Sequence, residues 1–142
     1  MWQPFTEEHQ QFRKMVREFA EKEIRPHSEE WEKSGCFPNE VFRRAGELGI
    51  HGAHYPEAHG GAGGDYWYSV VKAEEYTRGA NAGVTMGLLV QSDMATPVIS
   101  DLGTPEQIDE VGLIEQHLIA PMSGEQRSCA GRSRCGSPCR PG

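Results

Sequence analysis

Apolar residues in this chain recur every three or four positions and in no segment every second one, so its regular structure has to be helical. Phe12, Met15, Val16, Phe19, Ala20 and Ile24 follow the i, i+3, i+4, i+7 rule and predict one buried stripe on a helix from Phe5 to Ile24. Thr6 is its expected N-cap, with Glu7 and Glu8 favourable at the positive end of the helix dipole. Pro26 should end or kink that helix. "HSEEWEKSG" predicts a short helix anchored by Trp31 and stopped by Gly35. "FPNEVFRRAGELG" predicts another, with Pro38 in the first turn, Val41, Phe42, Ala45 and Leu48 on one face, and Gly49 closing it. Asp65 can cap a helix from about Tyr66 to Arg78 that buries Trp67, Val70 and Val71. A further helix runs from about Asn81 to Ala95, and "PVISDLG" is a short helical segment ended by Gly103. "GTPEQ" predicts a capping box between Thr104 and Gln107 that opens a helix from Pro105 to about Leu118. The expected fold class is all-α, an orthogonal or up-down bundle of up to six helices over residues 1–126.

Charge and cysteine usage narrow the function. The net charge is −7, but residues 127–142 hold four arginines and no acid. Residues 1–126 therefore carry 10 basic and 21 acidic side chains, a balance of −11 that repels nucleic acid phosphates. No apolar run approaches the roughly 18 residues of a membrane span. The N-terminus lacks the basic-then-apolar layout of a signal peptide, and the expected location is cytoplasmic. Cys36 stands alone in the body, which fits a reducing compartment without a disulfide framework. Residues 127–142, "RSCAGRSRCGSPCRPG", have no periodicity and no aromatic, and are expected to be disordered.

The stretch "EAHGGAGGDYW" raises the question of a phosphate cradle. Such a cradle needs an apolar strand before it and a helix N-terminus aimed at the anion. Here the loop follows a helix, has no Walker lysine, and ends in Asp65, which would repel a phosphate. The glycines are instead expected to serve positive φ angles and close backbone approach. His51, His54 and His59 lack the spacing and the fourth ligand of a metal site and are expected in a surface loop. Cys129, Cys135 and Cys139 likewise lack an adjacent fourth zinc ligand. Glu74 and Arg78 are expected to form a solvated i, i+4 pair. Asp93 falls inside the otherwise apolar run from Val84 to Ile99; it has to face water, find a partner or line a cavity, and exposure is the expectation.

Three stretches together resemble the acyl-CoA dehydrogenase family. "ELGIHGAHYPEAHGGAGGD" is similar to its L-G-x-x-G…P-E-x-x-G-G-x-G-x-D loop, "AEEYTR" to its E-E-x-x-R helix, and "PVISDLGTPEQ" to its P-x-I-x-x-x-G-T-x-E-Q segment, in the same order and spacing. "IRPHSEEWEKSGCFPNEVFRRAGELG" resembles the long-chain branch, and the likeness covers about residues 5–126. The resemblance implies an N-terminal helical domain, which in the family precedes a middle β domain and a C-terminal four-helix domain. It implies FAD as cofactor, acyl-CoA as substrate, and a reaction in which a glutamate removes the α-proton while the flavin takes the β-hydride. In the family the glutamate and the flavin grip lie in the later domains, so no residue here is assigned a catalytic, cofactor-binding or metal-binding role.

By the same resemblance, the helix matching Val84 to Thr96 lines the far end of the acyl cavity, and Met86, Leu89, Val90 and Asp93 are its substrate-facing candidates. Ordinary bundle core is the alternative for the three apolar ones. An acid at such a site hints at a shorter or more polar acyl group. After "SGEQ" the family continues into a strand, whereas this chain turns to Arg, Cys, Gly and Pro, as a shifted reading frame in a GC-rich gene would give. The expectation is the N-terminal domain of a dehydrogenase, inactive alone; the alternative is a stand-alone helical module that docks on an intact family member. The family usually forms tetramers, so a homo-oligomer is also implied.

Overall fold

The computed structural model describes residues 5–107, and every regular element among them is helical. The α-helices are α1 (Glu7–Phe19), α2 (Ser28–Ser34), α3 (Glu40–Glu47), α4 (Trp67–Tyr76), α5 (Ala82–Leu89) and α6 (Thr96–Leu102). Thr6 caps α1 as expected. Its side chain accepts the His9 amide, and His9 Nδ1 accepts the Thr6 amide at 3.0 Å, so a histidine completes the capping box. Gly35 ends α2 at φ 67°, in the left-handed region where a β-carbon is costly. Thr104 and Gln107 exchange the two bonds of the expected capping box. The helix expected beyond Gln107 and the tail 127–142 lie outside the described residues.

α1 packs along α4, and the core fills from Phe12, Val16, Phe19, Ala20 and Ile24 on one side and Val71, Tyr76, Val84 and Leu88 on the other. Val41, Ala45, Ile50 and Ala53 close it from α3 and the turn that follows. Trp31 is half-buried, stacked on His27 at 5.1 Å and 6.2 Å from Phe37. On α4, Val71 is fully buried while Trp67 and Val70 are half-buried.

Two features differ from the sequence expectation. The expected Asn81–Ala95 helix and the "PVISDLG" segment form one continuous helix, in which a π-helical segment, Val90–Ala95, joins α5 to α6. Likewise α1 passes through a π segment, Ala20–Ile24, and a 3-10 turn, Arg25–His27, before α2. Each π segment stands just ahead of a proline, Pro26 or Pro97. A wide turn absorbs the missing amide and the ring clash that a proline brings to a helix interior.

Candidate functional site

The glycine-rich loop folds on itself. The amide of Gly60 donates to Glu57 C=O, Gly61 to Pro56, Ala62 to Gly52, Gly63 to Tyr55 and Gly64 to Ala53, at 2.8–3.1 Å. Five successive donors are thus occupied, and none is presented to a phosphate. For the same reason the loop does not fit the diphosphate of a flavin dinucleotide. A β-carbon on Gly61 would lie 2.2 Å from Tyr55 O, and one on Gly64 2.5 Å from Ala53 O. Glycine is required there so that the chain can close around Tyr55, which is 3% exposed.

Tyr55 in turn points at the second π segment, where its hydroxyl donates to Ser92 C=O at 2.5 Å. That carbonyl needs a donor. The Thr96 amide reaches back five residues to Gln91 C=O, and the next amide in the series would belong to Pro97, which has none. Ser92 is fully buried, so water does not reach it. Around this point a polar cluster closes. Lys72 Nζ donates to Ser92 Oγ at 2.9 Å and pairs with Asp93 Oδ2 at 3.1 Å. The Ser69 hydroxyl donates to Asp93 Oδ1 at 2.8 Å and lies 3.1 Å from His54 Nδ1. Burial lowers the Lys72 ammonium pKa, and Asp93 opposes that shift. Burial raises the Tyr55 phenol, keeping it a neutral donor. His51 is fully buried, with no hydrogen-bond partner for either ring nitrogen among the described residues. Its pKa falls to about 3, first through burial and then through the charge on Lys72, so it is neutral.

Three sequence expectations are corrected here. Asp93 is only partly exposed and holds a buried lysine, because the Lys72 charge at that depth requires a counter-ion. His51 belongs to the core and not to a surface loop. Glu74 pairs with Arg13 at 2.6 Å and not with Arg78, which reaches Glu75 instead. Glu75, also fully buried, receives Arg13 at 2.8 Å and Arg17 at 2.8 Å as well. Burial raises its pKa, but the arginine hydrogen bonds prevail and hold it at about 2. Helix α4 therefore offers an acid to α1 and, three residues earlier, a base to the second π segment.

The outer face of α5–α6 is apolar. Met86 is 61% exposed, Val90 38%, Met94 62%, Val98 56% and Leu102 81%. Of the candidates for the cavity wall, Met86 and Val90 stand on this row, so bundle core does not describe them. Leu89 is half-buried against the core, and Asp93 turns inward to Lys72. Met94, Val98 and Leu102 extend the row beyond the sequence expectation. Their regular four-residue spacing was the available signal, and Pro97 was the signal for the bulge that makes it a single face. No group of three or more metal-ligating side chains occurs among the described residues, and no helix among them is long and apolar enough to cross a membrane.

This fold and these motifs have counterparts. Residues 6–111 match the model of the acyl-CoA dehydrogenase N-terminal domain. The mouse mitochondrial long-chain specific acyl-CoA dehydrogenase is 41% identical over 106 residues, covering 75% of this chain and 24% of that protein. An acyl-CoA dehydrogenase from Geobacillus kaustophilus superposes with a TM-score of 0.71 at 35% identity, covering 78% of this chain and 28% of the other. Butyryl-CoA dehydrogenase from Megasphaera elsdenii gives 0.71 at 28% identity, over 80% and 30%. The chain thus spans about a quarter of the length of the curated relatives it matches. It belongs to the acyl-CoA dehydrogenase family and carries that family's N-terminal helical domain.

Proposed function

We propose that the chain supplies the helical wall of a FAD-dependent acyl-CoA dehydrogenase and is inactive without the remaining domains. The observation that carries this reading is the row Met86, Val90, Met94, Val98 and Leu102. A contiguous apolar strip on a soluble domain marks a surface meant to be covered. The relatives are about four times longer and have the polypeptide to cover it. On this reading Met86 and Val90 face the acyl chain, Leu89 backs them, and Asp93 meets the cavity only at its rim, its carboxylate being held by Lys72. A short or polar acyl group would owe nothing to a free carboxylate there. No residue is assigned to proton removal, and the occupied amides of the glycine loop leave the flavin to other domains.

The test is direct. The purified chain is expected to be colourless, without flavin absorbance, and to form no 2-enoyl thioester from acyl-CoA. Stoichiometric flavin, or turnover by the chain alone, would sink the proposal.

The same strip supports a second reading, a module that docks on an intact family member. Mixing the chain with a full-length acyl-CoA dehydrogenase and sizing the product separates the two. Co-elution supports the docking module, and separate elution supports the wall of a single polypeptide.

A further inference from the structure

We propose that Tyr55 is a positioning residue. Its hydroxyl replaces the amide that Pro97 lacks, holds the second π segment in register, and so keeps five apolar side chains on one face of the helix.

Helix geometry is the reason. On an unbroken α-helix a four-residue step over-rotates by about 40°. Four such steps would leave Leu102 about 160° round from Met86, on the other side of the helix. Asp93, seven residues after Met86, would lie within about 20° of it and place a carboxylate in the middle of the apolar row. The structure has neither defect. The extra residue in the wide turn rotates everything after it back by about 100°. Met94 takes the place on the row that Asp93 would have held, and Asp93 swings to Lys72. Val98 and Leu102 return to the side of Met86 and Val90, and all five are exposed.

A buried wide turn needs donors for the carbonyls it leaves open. Here the Gln91 carbonyl is taken by the Thr96 amide and by the Thr96 hydroxyl at 2.7 Å. The Ser92 carbonyl is taken by Tyr55, from 37 positions away. The Lys72–Asp93 pair holds the side chain of the same turn. The glycine loop thereby gains a structural role, since its self-bonded backbone is the mount for one phenol. If the chain is a dehydrogenase wall, as proposed above, Tyr55 determines which side chains that wall presents. The clamp itself does not depend on that reading.

A double-mutant cycle in the 142-residue chain tests it, with Tyr55→Phe, Pro97→Ala and the pair measured by urea unfolding. Tyr55→Phe should lower the folding constant about tenfold, because it leaves a buried carbonyl without a donor. With Pro97→Ala present, residue 97 regains an amide and the same change should cost about twofold or less. Equal losses in the two backgrounds would overturn the proposal. The amide and 13C resonances of Val98 to Leu102 should move in the Tyr55→Phe chain, and unchanged resonances there would also overturn it. If Tyr55→Phe does not fold, the unsubstituted chain decides. The Tyr55 hydroxyl proton should be visible by NMR and slow to exchange; a proton exchanging freely with water would sink the clamp. No acyl thioester, flavin or second protein enters these measurements. A failed cycle therefore removes the clamp and leaves the proposed function standing, while flavin uptake by the chain does the reverse.

Discussion

The π turn before Pro26 and the π turn before Pro97 start from the same local chemistry and end in different surroundings. In the first, the Arg25 amide reaches back to Ala20 C=O, and Pro26 withholds a donor from Glu21 C=O. In the second, the Thr96 amide reaches Gln91 C=O, and Pro97 withholds one from Ser92 C=O. Glu21 is an exposed residue, so solvent has access to that turn. Ser92 is fully buried, and a tyrosine has to be brought to it from the glycine loop. The comparison teaches that a proline in a helix is a local event whose cost is set by burial. An exposed bulge needs no partner, whereas a buried one recruits distant residues and becomes a fixed point of the fold.

The largest effect should come from the counter-ion at the second turn. Asp93→Ala strands the Lys72 ammonium, which is 1% exposed, and should cost about 3 kcal/mol in urea unfolding. Glu21→Ala at the matching place in the first turn should stay within about 0.5 kcal/mol. Equal costs would break the comparison.

Next in size is the acid face of α4 that ties down α1 ahead of the first turn. The folded-state pKa of Glu75 is depressed from 4.5 to about 2. Its contribution is therefore complete above pH 4.5 and is lost as pH falls toward about 2. Glu75→Gln should cost about 2 kcal/mol at neutral pH and flatten the loss of stability over that window. Thermal midpoints recorded against pH will show whether it does; an unchanged acid slope means that the three arginines do not govern it.

Pro26→Ala sharpens the contrast from the small end. It returns an amide to a turn on the exposed side of the helix, so urea unfolding should move by less than about 0.5 kcal/mol. A larger change would mean that the first turn is under as much constraint as the second.

Much of the helical scaffold was legible before any coordinates. The α1 stripe, the Thr6 cap, the Gly35 stop and the Thr104–Gln107 box are short-range features, each settled by residues within about one turn of one another. The glycine loop was legible as something other than a phosphate cradle, since its context lacked a strand. The polar cluster was not legible. Tyr55 and Ser92 are 37 residues apart, Lys72 and Asp93 lie on different helices, and nothing in either neighbourhood marks the other. Asp93 read as a solvent-facing acid because the helix expected from Asn81 to Ala95 was taken as regular, and the wide turn at its end changes the direction of that side chain. His51 read as a loop histidine because its loop is polar, yet packing places its ring against Phe42.

The order of residues alone determined that this chain is helical and to which family it belongs, because periodicity, caps and motif spacing are properties of neighbours along the chain. It also marked Pro26 as a point where a helix ends or kinks, while the widening of the turns before Pro26 and Pro97 came only with the structure. Only the tertiary structure decided which of those openings is buried, which donor fills it, and hence which side chains of α5 and α6 form one apolar face. The reason is physical: the cost of an unpaired carbonyl depends on whether water can reach it, and access to water is a property of the packed molecule.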